Sequence, residues 1–541
     1  MSLCAGTVVA QDASQPAPHG QIEQRRAAVF LHGRSAASAA SRSGGAGHAL
    51  AATAAEQTSG PATSLANARA QHLQLLTAQR LLPQAASLTS AWTPVGPLQV
   101  QSASYGLVTG RVTAVALDPS DGSGNTVFVG TSGGGVWKST NAAGTASSVT
   151  FSPLTDTLPV FSPNAGGSVV PSLSIGAVSV QPGGTGVILA GTGDPNDAAD
   201  SYYGAGLLRS SDNGLTWSLV QNTNNGSFVG AGFAGFAWSS ASPQVVVAAV
   251  STAAEAATVG AGGSPTVRGL YYSQDGGSTW HVATVQDGST VIQSQYSSFN
   301  TFRGNAATAV TWNPVRQRFY AAVRAHGYYE STDGVTWTRL AAQPGPGLTT
   351  ANCPTRPGDY GLTSCPMFRG ALAAQPTSGD LFALTVDASN RDGGLWQDTC
   401  AVSGGNCASS TVRWDTQLNA TPMETNGTIP AGDYNLVLAA VPAATALSQT
   451  DTLLFAGTTD LFRCGLAGGC SLRNTTNTSN GCAHRRALRP RSMPLRGRRT
   501  CPTPARRASS LATTAACGDR WTACGSRQRS VLRMMRRTST T

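Results

Sequence analysis

The fold class this sequence predicts is all-β, a β-propeller built from repeated four-stranded units set radially. Three observations carry that prediction. The first is a recurring stretch: Ser210-Ser211-Asp212-Asn213-Gly214-Leu215-Thr216-Trp217, then Ser273-Gln274-Asp275-Gly276-Gly277-Ser278-Thr279-Trp280, then the shorter Ser331-Thr332-Asp333-Gly334-Val335-Thr336-Trp337. The second is spacing: comparable positions at Ser139, Ser210, Ser273, Ser331, Asp398 and Cys464 lie 71, 63, 58, 67 and 66 residues apart. The third is context, because each copy follows a short apolar or aromatic run and precedes another strand. A period of this size marks one supersecondary unit per repeat, and a ring of such units leaves only short, protected strand edges.

The recurring stretch is turn chemistry. The Asp carboxylate accepts N–H groups of the turn, and Gly tolerates positive φ. Thr and Trp restart a strand, with the indole placed to cover the turn. Ser210, Asp212, Gly214 and Trp217, Ser273, Asp275, Gly277 and Trp280, and Ser331, Asp333 and Trp337 are therefore assigned to scaffold.

Taken in order, the chain starts with residues 1–12, which read as the end of a secretory signal peptide, Val8-Val9-Ala10 resembling its cleavage site. An ordinary frayed terminus is the other reading. Residues 13–90 form a low-complexity leader, with a helix near 64–82 whose Leu65, Ala68, Leu75 and Leu82 share a face and which Pro83 stops. The propeller spans 91–482. Ala91-Trp92-Thr93-Pro94-Val95 has the look of a strand that follows the motif, without a motif before it. The first unit runs through Val112 to Leu117, Thr126 to Gly130 and Val136-Trp137-Lys138-Ser139 to a degenerate motif, and the next three carry full copies. The fifth uses Gly370 to Gln375, Leu381 to Val386 and Leu395 to Asp398; the sixth uses Leu436 to Val441, Leu453 to Gly457 and Leu461 to Cys464. Six blades are recognisable, and the orphan strand at Trp92 calls for a seventh after Cys482.

The strand pattern stops there. Residues 483–541 contain fifteen Arg and one acid, Asp519, with no alternation. Without them the chain carries 21 basic and 25 acidic residues, a net charge of −4 in place of +10. The basic balance thus belongs to the tail alone, and nucleic acid is a partner only if that tail is a genuine disordered arm. A shift of reading frame is the other reading, since the break falls inside a repeat rather than at a linker. No apolar run of 18 residues is present, so no membrane-spanning helix is expected. The 11 cysteines include three close pairs, Cys353 with Cys365, Cys400 with Cys407 and Cys464 with Cys470, which read as local disulfides of an oxidising compartment. Zinc is the rival, but no C-x-x-C pair or nearby His cluster favours it. Secretion, extracellular or periplasmic, is the expectation.

The pattern S-x-D-x-G-x-T-W resembles the Asp-box, or BNR repeat, of sialidase-like, sortilin-like and xyloglucanase-like propellers, and the chain is closest in kind to secreted bacterial members. In those families the box lies away from the ligand face, which implies that ligands meet the loops joining strands 2 and 3. The long acidic loop there holds Asp194, Asp197, Asp200, Tyr202 and Tyr203. Its carboxylates suit an acid/base pair or a calcium ion, the one cofactor considered. Arg111, Arg303 and Arg369 enter first strands from the same side and can hold a carboxylate by paired hydrogen bonds, as the sialidase arginine triad does. The sialidase Arg-Ile-Pro signature is absent, and no Tyr/Glu nucleophile pair is identifiable. Xyloglucanase-like hydrolases carry a catalytic Asp in a stretch like T-D-x-G-G-x-Y; here Thr131-Ser132-Gly133-Gly134-Gly135-Val136-Trp137 puts Ser132 at that position. Photosystem II assembly factor propellers are binding proteins that match at repeat level only. The expected function is a non-catalytic module binding a glycan or a protein, with a glycoside hydrolase using the acidic loop as the alternative.

Overall fold

The computed structural model describes residues 100–475, apart from 103–105, 109–110, 146–147, 157, 162–170, 197–200, 225, 254–267, 295–304, 354–363, 401–410, 419–422, 445–449 and 459. The leader, the expected helix over 64–82, Trp92 and the Arg-rich tail lie outside the described residues.

Six antiparallel sheets follow one another along the chain, each with its four strands paired in sequence order, and together they make a six-bladed β-propeller. Blade 1 comprises Val112–Leu117, Val127–Thr131, Val136–Ser139 and Ser152–Pro153; blade 2 comprises Ile175–Val180, Ile188–Thr192, Leu207–Ser210 and Ser218–Val220. Blade 3 comprises Ala231–Trp238, Val246–Thr252, Gly269–Ser273 and His281–Val282; blade 4 comprises Ala307–Asn313, Arg318–Val323, Gly327–Ser331 and Thr336–Arg339. Blade 5 comprises Arg369–Ala374, Leu381–Val386, Asp392–Asp398 and Thr416–Leu418; blade 6 comprises Val437–Ala444, Thr450–Gly457, Leu461–Gly465 and Arg473–Asn474. Among the described residues there is no α-helix.

Successive side chains of a strand point to opposite sheet faces, so a sheet buried on both faces needs an almost unbroken apolar run. Arg318–Val323 shows the division. Phe319, Ala321 and Val323 join the core shared with blade 3, while Tyr320 and Ala322 join the core shared with blade 5. Each neighbouring pair from blades 1–2 to blades 5–6 is welded by one such core.

The recurring stretches close the hairpins between third and fourth strands. Ser210 Oγ donates to Asp212 Oδ1 at 2.7 Å and accepts the Gly214 N–H at 2.9 Å, while Thr216 N–H donates to Asp212 Oδ1 at 2.9 Å. The indole Nε1 of Trp217 then donates to the Gly214 carbonyl at 3.2 Å. The same bonds recur in the second copy, with Trp280 Nε1 on Gly277 O at 3.0 Å, and in the third, with Trp337 Nε1 on Gly334 O at 2.9 Å. Hydrogen bonds from Thr216, then Ser210, hold the Asp212 carboxyl down at about 2. In blade 1 Asn141 stands in for the Asp, accepting from Ser139 Oγ at 3.1 Å and from Thr150 N–H at 3.0 Å.

Strands beyond four per repeat also occur: Val100–Ser102 pairs with Gly106–Val108, and Asn222–Thr223 with Gly226–Ser227, as separate two-stranded sheets. Thr284–Asp287 and Thr290–Gln293 form an extra hairpin whose first strand runs parallel to Thr336–Arg339, extending blade 4 to six strands. Asp287-Gly288 between two alternating runs is the sequence signal for it. Disulfides join Cys353 to Cys365 and Cys464 to Cys470. Cys400 is also disulfide-bonded, and Cys407 lies outside the described residues.

Blades 4 and 5 are further tied by a buried ion pair between Arg316 and Asp398. Arg316 Nε also donates to Gly379 O at 2.9 Å, and Asp398 Oδ1 accepts the N–H groups of Arg413 and Trp414. Removing one partner strands the other charge away from water. Arg316→Met is expected to cost about 3–5 kcal/mol, and the Arg316→Met/Asp398→Asn double variant clearly less than its two single changes summed, read from urea denaturation. Trp280→Ala, which deletes a ring that is 1% exposed, is expected to cost about 3–5 kcal/mol. Trp217→Ala, only half-buried, is expected to cost visibly less in the same assay.

Candidate functional site

First strands start, and the loops between strands 2 and 3 open, on the side of the ring opposite the recurring hairpins. Backbone bonds fix this geometry: Ser132 N–H donates to Arg111 O at 3.0 Å, Gly193 N–H to Ser174 O at 2.8 Å, and Arg324 N–H to Ala306 O at 2.9 Å. Five polar side chains gather there from blades 1, 2 and 5: Arg111, Ser132, Ser174, Asp194 and Arg369.

Asp194 is 4% exposed. Its Oδ1 accepts from Ser174 Oγ at 2.8 Å, its Oδ2 accepts the Tyr202 N–H at 3.4 Å, and the Arg111 guanidinium stands 3.5 Å from Oδ2. Arg111 Nη2 also donates to Ser132 Oγ at 2.7 Å, while its Nε is buried without a hydrogen-bond partner. Arg369 is engaged by the same loop from the far side of the ring. Its Nη2 donates to Asn196 Oδ1 at 3.0 Å and to Pro195 O at 3.3 Å, and its Nε donates to Asp433 O at 2.8 Å. The segment Asp194-Pro195-Asn196 therefore links blade 2 to blade 5. Two glycines let it lie against the inner strands: a Cβ on Gly232 would sit 2.2 Å from Asp194 O, and one on Gly176 would sit 3.1 Å from Pro195 Cδ.

Of the residues singled out in the sequence, Arg111, Arg369, Asp194, Tyr202 and Tyr203 are brought to this side, Tyr203 being buried. Asp197, Asp200 and Arg303 lie outside the described residues. Sequence reasoning passed over Ser174, Asn196 and the strand 2–3 loop of blade 4. In that loop Arg324 is buried, stacks 4.1 Å from the Phe368 ring and donates from Nε to Phe368 O at 2.9 Å. Ala325 beside it holds φ +60° while fully buried, a conformation costly for any residue but glycine. The signal was positional: Arg324-Ala325-His326 occupies the same loop in its repeat as the acidic stretch does in blade 2.

A second carboxyl cluster lies at the strand 2–3 loop of blade 5. Burial, and the Glu424 carboxyl hydrogen-bonded beside it, push Asp392 up to about 7. The Gly394 N–H donates to Asp392 Oδ1 at 2.7 Å. Two carboxyls in direct contact share a proton, whereas glycoside hydrolysis requires them to flank a bond, about 5 Å or more apart. Among the described residues no three His, Cys, Asp or Glu side chains converge as a metal site, and no helix is long and apolar enough to cross a membrane.

No protein-family model matches the chain and no curated protein matches it. Solved structures similar to it include the GH74 xyloglucanase from Xanthomonas campestris, at 17% identity and a TM-score of 0.35 over 65% of this chain and 44% of that one. YCF48 from Cyanidioschyzon merolae is similar at 11% identity and a TM-score of 0.34, over 68% of this chain and 85% of that one. The chain thus spans less than half of the xyloglucanase's length.

The Asp392–Glu424 pair makes stability depend on pH. With its folded-state pKa raised from 3.8 to about 7, Asp392 contributes stability that is present at low pH and lost as pH rises through about 7. Asp392→Asn is expected to flatten that loss, so that the variant gains on the wild type between pH 5 and pH 8 in urea midpoint. An unchanged difference between the two pH values would remove the shared proton from the account.

Proposed function

We propose that the protein is a secreted Asp-box propeller that acts as a non-catalytic binding module, taking a glycan or a protein on its strand 2–3 loop face. The observation that carries this reading is the state of Asp194. Both its oxygens are occupied by Ser174, Tyr202 and Arg111, so it is placed to hold the loop rather than to exchange protons with a substrate. Ser132, where xyloglucanase-like enzymes carry an acid, accepts from Arg111 instead. What such a face offers a ligand is hydrogen bonding from a positioned guanidinium. The Arg111 side chain is 31% exposed. Secretion is supported by disulfides at Cys353–Cys365 and Cys464–Cys470, which persist in oxidising compartments.

A glycan array and an extracellular-protein pull-down, run beside a glycosidase screen on the same sample, test the reading. Binding without turnover is expected, and Arg111→Ala is expected to weaken it about tenfold to a hundredfold, the loss of one charged hydrogen bond. Hydrolysis by the wild type that disappears in Asp194→Asn would establish the hydrolase instead.

A further inference from the structure

A small hairpin from the connection between blades 5 and 6 lies across the strand 2–3 loop of blade 5. Met423 and Ile429, both buried in the core those two blades share, hold its ends. Between them Thr425 and Thr428 exchange backbone hydrogen bonds of 2.7 and 3.1 Å around a tip of Asn426 and Gly427, at φ +54° and +74°, the left-handed pair that a two-residue turn requires. Thr428 bridges to Arg391, and the Asp392 N–H donates to Gly427 O at 3.3 Å. Beyond the hairpin, the Ile429 N–H donates to Asn390 O at 2.8 Å and the Asp433 N–H to Asn390 Oδ1 at 2.6 Å. The two ends are therefore held by different chemistry. Amide bonds to Asn390 fix the far end whatever the pH. At the near end, besides one long backbone bond, the Glu424 carboxyl is hydrogen-bonded to that of Asp392, and two carboxyls bond to each other only while they share a proton.

We propose that the Asp392–Glu424 contact is a proton-operated clasp: it holds the hairpin on the strand 2–3 loop of blade 5 while a proton is shared, and lets the hairpin swing out about Ile429 once both carboxyls are ionised. The docked Asp392 carboxyl keeps its proton up to about 7, against an ordinary 3.8. Docking therefore weakens about tenfold per pH unit between those values and levels off above them. Other charges on the elements packed around the contact are engaged elsewhere. Asp387 Oδ1 accepts the Ser389 and Arg391 N–H groups at 2.7 and 2.8 Å, and Arg369 holds Asp433 O and Asn196. Asp398, at the far end of the same strand as Asp392, pairs with Arg316, and Asp460 of blade 6 accepts from Asn474. The segment 341–348, which meets Gly393 at Gly345, carries no charged residue. Among the described charges only Glu424 acts on Asp392. The clasp rests on these contacts alone, independently of what the face binds.

Hydroxyl-radical footprinting of the full chain, read by mass spectrometry at pH 5 and pH 8, tests the clasp. Oxidation of Met423, 3% exposed at the root of the hairpin, is expected to rise several-fold between the two. Met367, 0% exposed in the core of blades 4 and 5, and Leu215, 83% exposed on a hairpin tip, are expected to stay unchanged. Asp392→Asn supplies an amide donor to Glu424 at every pH, and Glu424→Gln supplies one from the other side, so Met423 is expected to remain protected at pH 8 in both variants. Equal oxidation of Met423 at the two pH values in the wild type overturns the proposal. So does a rise of the same size in either variant, which would place the titrating group elsewhere, or a parallel rise at Met367, which would make the opening general rather than hinged at Ile429.

Discussion

The packing of one sheet face on the next is the interaction on which the rest of this molecule depends. A four-stranded sheet with apolar side chains on both faces cannot bury either face by itself. Each blade solves the problem only through its neighbours, so stability is passed round the ring from core to core. The residues record that constraint at fine scale. The second strands carry Ala190, Ala248, Ala321, Ala383 and Ala456 at one equivalent position, each buried in a core, opposite large partners such as Tyr271 and Tyr329. A small residue facing a large one across the pair is how interdigitating layers reach close packing.

The outer hairpins meet a second, weaker requirement, which is to hold the fourth strand against the third. The equivalent position is filled by different chemistries. Ser210, Ser273 and Ser331 bond to a turn Asp, Ser139 bonds to Asn141, Asp398 pairs with Arg316, and Cys464 is cross-linked to Cys470. Because any of these can close the turn, the motif can decay along the chain while the blade persists. The indoles add burial where the hairpin lies against its neighbour, and Trp280 and Trp337 are almost wholly buried.

On the opposite side the cationic and anionic residues that looked like two rival ligand sites prove to be partners of each other. Arg111 and Arg369 hold the loop that carries Asp194 and Asn196, and that loop joins blades three places apart in the ring. A buried carboxylate with every oxygen occupied is a strut, and strength there comes from satisfying charge in a place with little water. Arg111 differs from its partner in keeping part of its side chain at the surface.

The sequence alone determined the architecture, because strand alternation, turn residues and the repeat period are local properties that each copy states again. Ser210, Asp212, Gly214 and Trp217 could be placed on a hairpin from their own spacing, and Cys353–Cys365 and Cys464–Cys470 could be paired because few residues separate them. The extra hairpin at Thr284–Gln293 went unread despite the turn signal Asp287-Gly288, and its parallel seat on Thr336–Arg339 has no local signal at all. Only the tertiary structure decided the partners of Arg369, since 173 residues separate it from Asn196, and of Arg316, whose partner Asp398 comes from the next blade. Contacts of that kind arise from how the blades are set beside one another, and no periodicity within one repeat encodes which distant charge will stand opposite. The same holds for the face at Trp137: its residues read as an ordinary strand, and only the packing shows that, among the described residues, they belong to none of the five shared cores.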